Sequence, residues 1–160
     1  MTRLKEKSLD ILCSISFLAL CMAFIGQYGF DLPPCRFCIY ERYPYGIAFI
    51  LSLVGMSQPS WLPYLQKLFF ITFVAGTLLT ATHVMIEHGW IPLPRFCTSD
   101  LTLNAETTVE SLKLQMMEQP RVTPCHIAPL KIFGLSFAEY NLVLSLFLVW
   151  FCARFVRWVP

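Results

Sequence analysis

Two cysteines three residues apart open the chemistry of this chain. The stretch Pro33-Pro34-Cys35-Arg36-Phe37-Cys38-Ile39-Tyr40-Glu41-Arg42 sets a Cys-x-x-Cys pair between two apolar runs. Such a pair can close into a small disulfide, and its thiolate is stabilised by nearby positive charge or by a helix N-terminus. Arg36 lies inside the motif, Arg42 follows it, and Pro44 suits the first turn of the next helix. Cys97 and Cys125 fall in a second polar connection, whereas Cys13, Cys21 and Cys152 fall in apolar runs, where a thiol behaves as a small inert hydrophobe. The four cysteines outside those runs allow three connectivities, and spacing does not choose among them. A structural zinc site needs four ligands and a second Cys-x-x-Cys is absent, so no metal is expected.

The elements that hold these sulfurs read as membrane helices. Of 160 residues, 56% are hydrophobic and 14% charged, against about a quarter charged in an ordinary soluble domain. A net charge of +2, with no basic run interleaved with aromatics, excludes nucleic acid as a partner. Uncharged runs give spans at about 11–30, 43–56, 65–86 and 137–155, each judged against the ~20 residues that cross a bilayer core. The first follows Arg3, Lys5 and Lys7, and Leu18-Ala19-Leu20-Cys21 superficially suggests a lipoprotein signal. Leu20 stands where a small residue is wanted, so the helix is expected to be retained. The second span is short, and Tyr43, Tyr45 and Trp61 at its ends read as interfacial aromatic belts. The third carries Gly76 and Thr72, Thr77, Thr80 and Thr82, small residues that permit close packing in lipid. The expected fold is all-α: one integral membrane domain over 1–160, a four-helix transmembrane bundle, with outer loops at about 31–42 and 87–136.

Orientation follows from basic residues. Arg3, Lys5, Lys7, Lys67, Arg154 and Arg157 crowd short segments that flank the helices, while Arg36, Arg42, Arg95, Lys113, Arg121 and Lys131 are spread over the other side. The positive-inside rule then puts both termini in the cytoplasm, and Cys35, Cys38, Cys97 and Cys125 in an oxidising outer space. In the long loop Thr107 and Glu110 form a capping box, and Val109, Leu112, Met116 and Met117 recur at helical spacing, so a short helix is expected there. A bundle held by lipid needs no disulfide to stay folded. Two cysteine pairs of different character on one face therefore suit thiol–disulfide exchange through mixed intermediates, with a loop staple as the alternative for Cys97 and Cys125.

Cys35-x-x-Cys38-Ile39-Tyr40-Glu41-Arg42, a His83-x-x-x-Glu87 stretch closing the third span and Gly134-Leu135-Ser136-x-Ala138-x-x-Asn141 opening the fourth resemble the DsbB family of bacterial disulfide-bond formation proteins. The resemblance covers nearly the whole chain, although the outer loop and C-terminal tail are short for the family, which leaves the partner open. It implies a four-helix inner-membrane enzyme, with termini cytoplasmic and redox loops periplasmic, that reoxidises a periplasmic thioredoxin-fold (DsbA-like) dithiol oxidase. Electrons pass to a bound quinone, ubiquinone or menaquinone, of the respiratory pool. By the same resemblance Cys97 and Cys125 exchange with the partner, Cys35 and Cys38 lie next to the quinone, and Arg42 matches the family's quinone-site arginine. Cys38, one turn before Arg42, is then expected to act on the quinone as a thiolate beside the guanidinium.

The histidines divide. His83 matches the family pattern and is expected at the quinone, and His88 is a weaker candidate for a proton relay. His126, beside Cys125, is either solvated or a modulator of that thiol. Glu41 and Glu87 are expected to orient arginines. A vitamin K epoxide reductase relative would keep its Cys-x-x-Cys near the last helices, and here it follows the first. A tetraspan scaffold with stapling disulfides is the rival from another class.

Overall fold

The structure is a computed structural model that describes residues 2–94, 97, 123–128 and 130–157. It is mostly helical. Helix α1 (Thr2–Phe24) continues into one π-helical turn at Ile25–Gly29. The short helix α2 (Arg36–Tyr40) is followed, across Glu41, by α3 (Arg42–Ser57). A 3₁₀ turn at Pro59–Trp61 leads into α4 (Leu62–Glu87), whose Pro63 takes a first-turn position, where a proline loses no helix hydrogen bond. Strands β1 (Lys131–Ile132) and β2 (Leu135–Ser136) precede α5 (Phe137–Arg157).

Three helical stretches are long and apolar enough to cross a membrane: Lys7–Gly29, Pro59–Glu87 and Phe137–Arg154. Helix α3, with 16 residues, is about 24 Å long. Packing is pairwise, α4 against α5 and α1 against α3, with α3 also touching α4. Leu9, Leu12, Tyr45, Ala48, Leu65, Phe69, Phe73 and Leu148 form the shared core. Small residues set the helix spacing: a Cβ on Gly76 would stand 3.1 Å from Pro44, and one on Gly55 3.2 Å from Leu9. Phe17, Leu18, Met22, Ile50, Ile71, Leu78 and Val143 point outward, an apolar exterior suited to lipid.

Two expectations are corrected here. The fold is not purely α, because β1 and β2 pair antiparallel, Lys131 with Ser136 and Ile132 with Leu135. Phe133 and Gly134, at φ of +52° and +84°, supply the two left-handed residues that a tight hairpin turn requires. Tyr45 is not an interfacial anchor either. It is buried, and its hydroxyl donates to Asn141 Oδ1 at 2.5 Å, while Tyr43 and Trp61 remain exposed. The helix expected between Thr107 and Met117 lies outside the described residues.

Candidate active site

The Cys-x-x-Cys pair is shaped by the start of α2. Cys35 is the residue that caps this helix, in extended conformation, and its Sγ accepts the Cys38 backbone N–H at 3.1 Å. Cys35 and Cys38 are free thiols, whereas Cys97 and Cys125 form a disulfide. A hydrogen bond from the Cys38 thiol, helped by the Cys38 N–H, holds the Cys35 thiol below its usual range despite burial. The same hydrogen bond, with burial, pushes the Cys38 thiol far up. The helix-capping position belongs to the first cysteine of the motif, so the hydrogen bonds lower the Cys35 thiol and raise the Cys38 thiol.

His83 comes to the pair from α4. The residue is 3% exposed, its ring stacks on Phe37 at 5.3 Å between centroids, and Nε2 lies 3.4 Å from Cys35 Sγ. Nδ1 lies 2.7 Å from Glu41 Oε1, and a carboxylate can only accept, so the Nδ1–H donates. Glu41 Oε2 accepts from Asn141 Nδ2 at 2.8 Å, and the same amide donates to Thr80 Oγ1 at 3.2 Å. One hydrogen-bonded line thus runs from α5 through Glu41 and α4 to the Cys35 sulfur. The expectation that Glu41 and Glu87 orient arginines is overturned: Glu41 holds His83 and Asn141, and Glu87 Oε2 accepts from the Ser136 hydroxyl at 2.6 Å.

Arg42 turns to the opposite wall. Its Nη1 donates to Gln27 Oε1 at 2.6 Å, its guanidinium lies 5.1 Å from the Phe24 ring centroid, and its buried Nε has no partner among the described residues. Between the two walls is a cavity of about 470 Å³, lined by Cys35, Cys38, Glu41, Arg42, His83 and Asn141 and otherwise mostly by apolar side chains such as Ile15, Ala19 and Leu144. Ile127 and Ala128, just after Cys125, complete it. The disulfide itself is 2% and 1% exposed at its two cysteines and packs with Cys35, Phe37 and Ile86 in one cluster. Thr123 Oγ1 donates to the Pro33 carbonyl at 2.7 Å, which ties the segment before Cys125 to the one before Cys35.

Of the residues expected from sequence, Cys35, Cys38, Arg42 and His83 meet at this cavity, and Cys97 and Cys125 lie in the cluster beside it. Arg36 and His126 are exposed, and His88 faces away from the sulfurs, bonded to Glu139 at 3.0 Å and stacked on Trp90. Sequence reasoning missed Gln27, Tyr45 and the amide of Asn141 as parts of the site. Gln27 and Asn141 had a signal, being uncharged amides inside apolar runs, where a polar group must find a partner. Also missed was Ser136-x-x-Glu139, a capping box in which Glu139 Oε2 accepts the Ser136 N–H at 2.6 Å and Ser136 Oγ accepts the Glu139 N–H at 3.2 Å.

Helices of membrane-spanning length with a free dithiol, a disulfide and a buried imidazole gathered at one end define a membrane protein equipped for thiol–disulfide chemistry. Residues 6–155 match the family described as disulfide bond formation protein DsbB, and the chain belongs to that family. It is similar to an uncharacterized protein of Rickettsia prowazekii (strain Madrid E), 32% identical over 141 residues that cover 88% of this chain and 81% of the relative. No solved structure matches significantly. Family membership implies disulfide bond formation by a thiol–disulfide oxidoreductase of the inner membrane.

Proposed function

We propose that the chain is a four-span protein-disulfide oxidase that renews the disulfide of a periplasmic thioredoxin-fold (DsbA-like) dithiol oxidase and delivers the electrons to quinone. The observation that supports this most is the cavity on whose wall Cys35, Cys38, Arg42 and His83 meet, with the Cys97–Cys125 disulfide packed against Cys35. Helix α3 is the fourth span, and the chain forms one domain with both termini in the cytoplasm.

Electrons balance in pairs. A thiolate of the partner attacks the Cys97–Cys125 bond, and its second thiol resolves the mixed disulfide, leaving the partner oxidised and Cys97 and Cys125 as thiols. These thiols then reduce a Cys35–Cys38 disulfide by the same exchange and regain their own bond.

The cavity fits a quinone: its walls are apolar, and the buried Arg42 Nε is a donor without a partner among the described residues. Arg42, Cys38 and His83 would hold it. When bound, quinone supplies the acceptor for two electrons and two protons. Arg42 offers its Nε–H and charge to an oxygen in the cavity, and His83, its Nδ1–H held by Glu41, turns Nε2 to Cys35 as an acceptor for the thiol proton. The apolar walls exclude water and strengthen both interactions.

Purified protein supplied with quinone is expected to oxidise a reduced thioredoxin-fold partner catalytically, and Cys38→Ser is expected to abolish that turnover. Turnover at the parent rate in Cys38→Ser would refute the relay.

A further inference from the structure

We propose that Cys35, Cys38 and His83 form a binding site for one thiophilic metal ion, zinc being the probe, which exists only while the two cysteines are reduced. The inference rests on the geometry of the dithiol and is independent of the quinone-linked reading.

The two sulfurs and the imidazole nitrogen all lie within 4.8 Å of one another, and Cys35 Sγ is 3.4 Å from His83 Nε2. In a tetrahedral zinc site, Zn–S of about 2.3 Å and Zn–N of about 2.0 Å put a sulfur and a nitrogen roughly 3.5 Å apart, and two sulfurs roughly 3.8 Å apart. The existing S···N separation is thus already that of a shared ion, and closing the rest needs side-chain adjustment alone. Two sulfurs and an imidazole are a soft donor set, which selects zinc over magnesium or calcium.

What distinguishes this triad from three adjacent polar residues is the support behind the histidine. Glu41 Oε1 takes the Nδ1–H at 2.7 Å, which fixes the ring and leaves Nε2 turned to the sulfurs. Glu41 is held in turn by Asn141. A carboxylate behind a ligating histidine is the arrangement that orients the ring and raises its basicity in metal sites. Counting ligands along the chain gave only the two cysteines, because the third arrives from α4, 45 residues after Cys38. All three residues line the cavity, so the fourth coordination position faces into it.

Binding moves no electrons. Each ligating thiol that is still protonated loses its proton to solvent as its sulfur bonds the metal. Closing the Cys35–Cys38 disulfide removes two of the three ligands, so the ion binds the reduced chain only and holds the dithiol out of exchange. Micromolar zinc is then an inhibitor that traps the reduced form.

The test uses the full chain in detergent, reduced with a phosphine and titrated with Co²⁺ as a spectroscopic stand-in. One Co²⁺ per chain is expected, with thiolate-to-cobalt charge transfer and the intense visible bands of a tetrahedral ion, bleached by one equivalent of Zn²⁺. Glu41→Gln should weaken binding roughly 10–100-fold, His83→Ala at least tenfold, and oxidised unsubstituted protein should show no bands. The last comparison needs no variant and so does not depend on one folding. Absence of the bands in the reduced chain, their persistence in the oxidised chain, their loss in Cys97→Ser, or equal affinity in both the Glu41 and the His83 variant would overturn the site. Quinone-linked turnover measured separately in chelator separates the two readings: turnover without cobalt bands removes the metal site alone, and cobalt bands without turnover remove the oxidase reading alone.

Discussion

At Cys35 two donors converge on one sulfur, the Cys38 thiol and the Cys38 N–H. Hydrogen bonds to a thiolate favour the charged form, and the sign follows. The Cys35 thiol ionises below the usual range, so the stabilisation from this contact is fully present at and above an ordinary thiol pKa and is lost as the pH falls through the lowered value. Ultraviolet titration of the reduced protein is expected to show one thiolate forming early, lost in Cys35→Ser, with Cys38 silent across the accessible range; two overlapping ordinary titrations would contradict the arrangement. For Arg42, lysine keeps the charge but loses the planar fork of donors. Arg42→Lys is therefore expected to raise the apparent quinone KM roughly tenfold, the worth of about one charge-assisted hydrogen bond, while leaving a single exchange at Cys97–Cys125 intact. An unchanged KM would make Arg42 a mere interfacial anchor. That Cys35, Cys38 and Arg42 lie together was legible in the sequence because the motif is local. Glu41 was misread, since the partners that use it, His83 and Asn141, arrive from α4 and α5, and no spacing along the chain encodes that meeting.

Helices α1, α4 and α5 were legible as elements because long uncharged runs have few alternatives to a helix in lipid. Their ends were less so. The charged head of α1 is helical from Thr2, because helix continues until backbone partners run out and the end of hydrophobicity does not stop it. The hairpin before α5 is only two residues per strand, too short for alternation to register, and Phe133 is an unusual occupant of a left-handed position. Its effect is to deliver Ser136 to the head of α5, where that residue caps the helix and bonds Glu87 at the end of α4. Contact between α3 and α4 depends on Gly76 in the same way: an added Cβ would meet Pro44, a rigid ring, at 3.1 Å. Gly76→Ala is expected to cost about 1–3 kcal/mol as overpacking, read as a lowered unfolding midpoint in detergent. It should also loosen the Tyr45–Asn141 bond on the neighbouring turn of α3. A midpoint equal to the parent's would show that the helices part without cost.

For the molecule as a whole, an apolar exterior surrounds a polar line that ends at the sulfurs, and both cysteine pairs sit at that end. Burial of the Cys97–Cys125 bond has a kinetic consequence. A partner's thiolate must approach along the axis of the sulfur–sulfur bond, and with the two cysteines 2% and 1% exposed no such line of approach is open in the closed arrangement. Each encounter then waits for an opening event that belongs to this chain, so the single-turnover rate is expected to rise with partner concentration and level off at the opening rate. Two partners of different thiol acidity should share one plateau, although they differ on the rising limb. A rate that climbs linearly without limit would mean that the bond is attacked where it lies. Under the proposed oxidase reading the ceiling, where it exists, would also limit promiscuous oxidation, because small thiols that cannot hold an opened form would meet a disulfide that is closed most of the time.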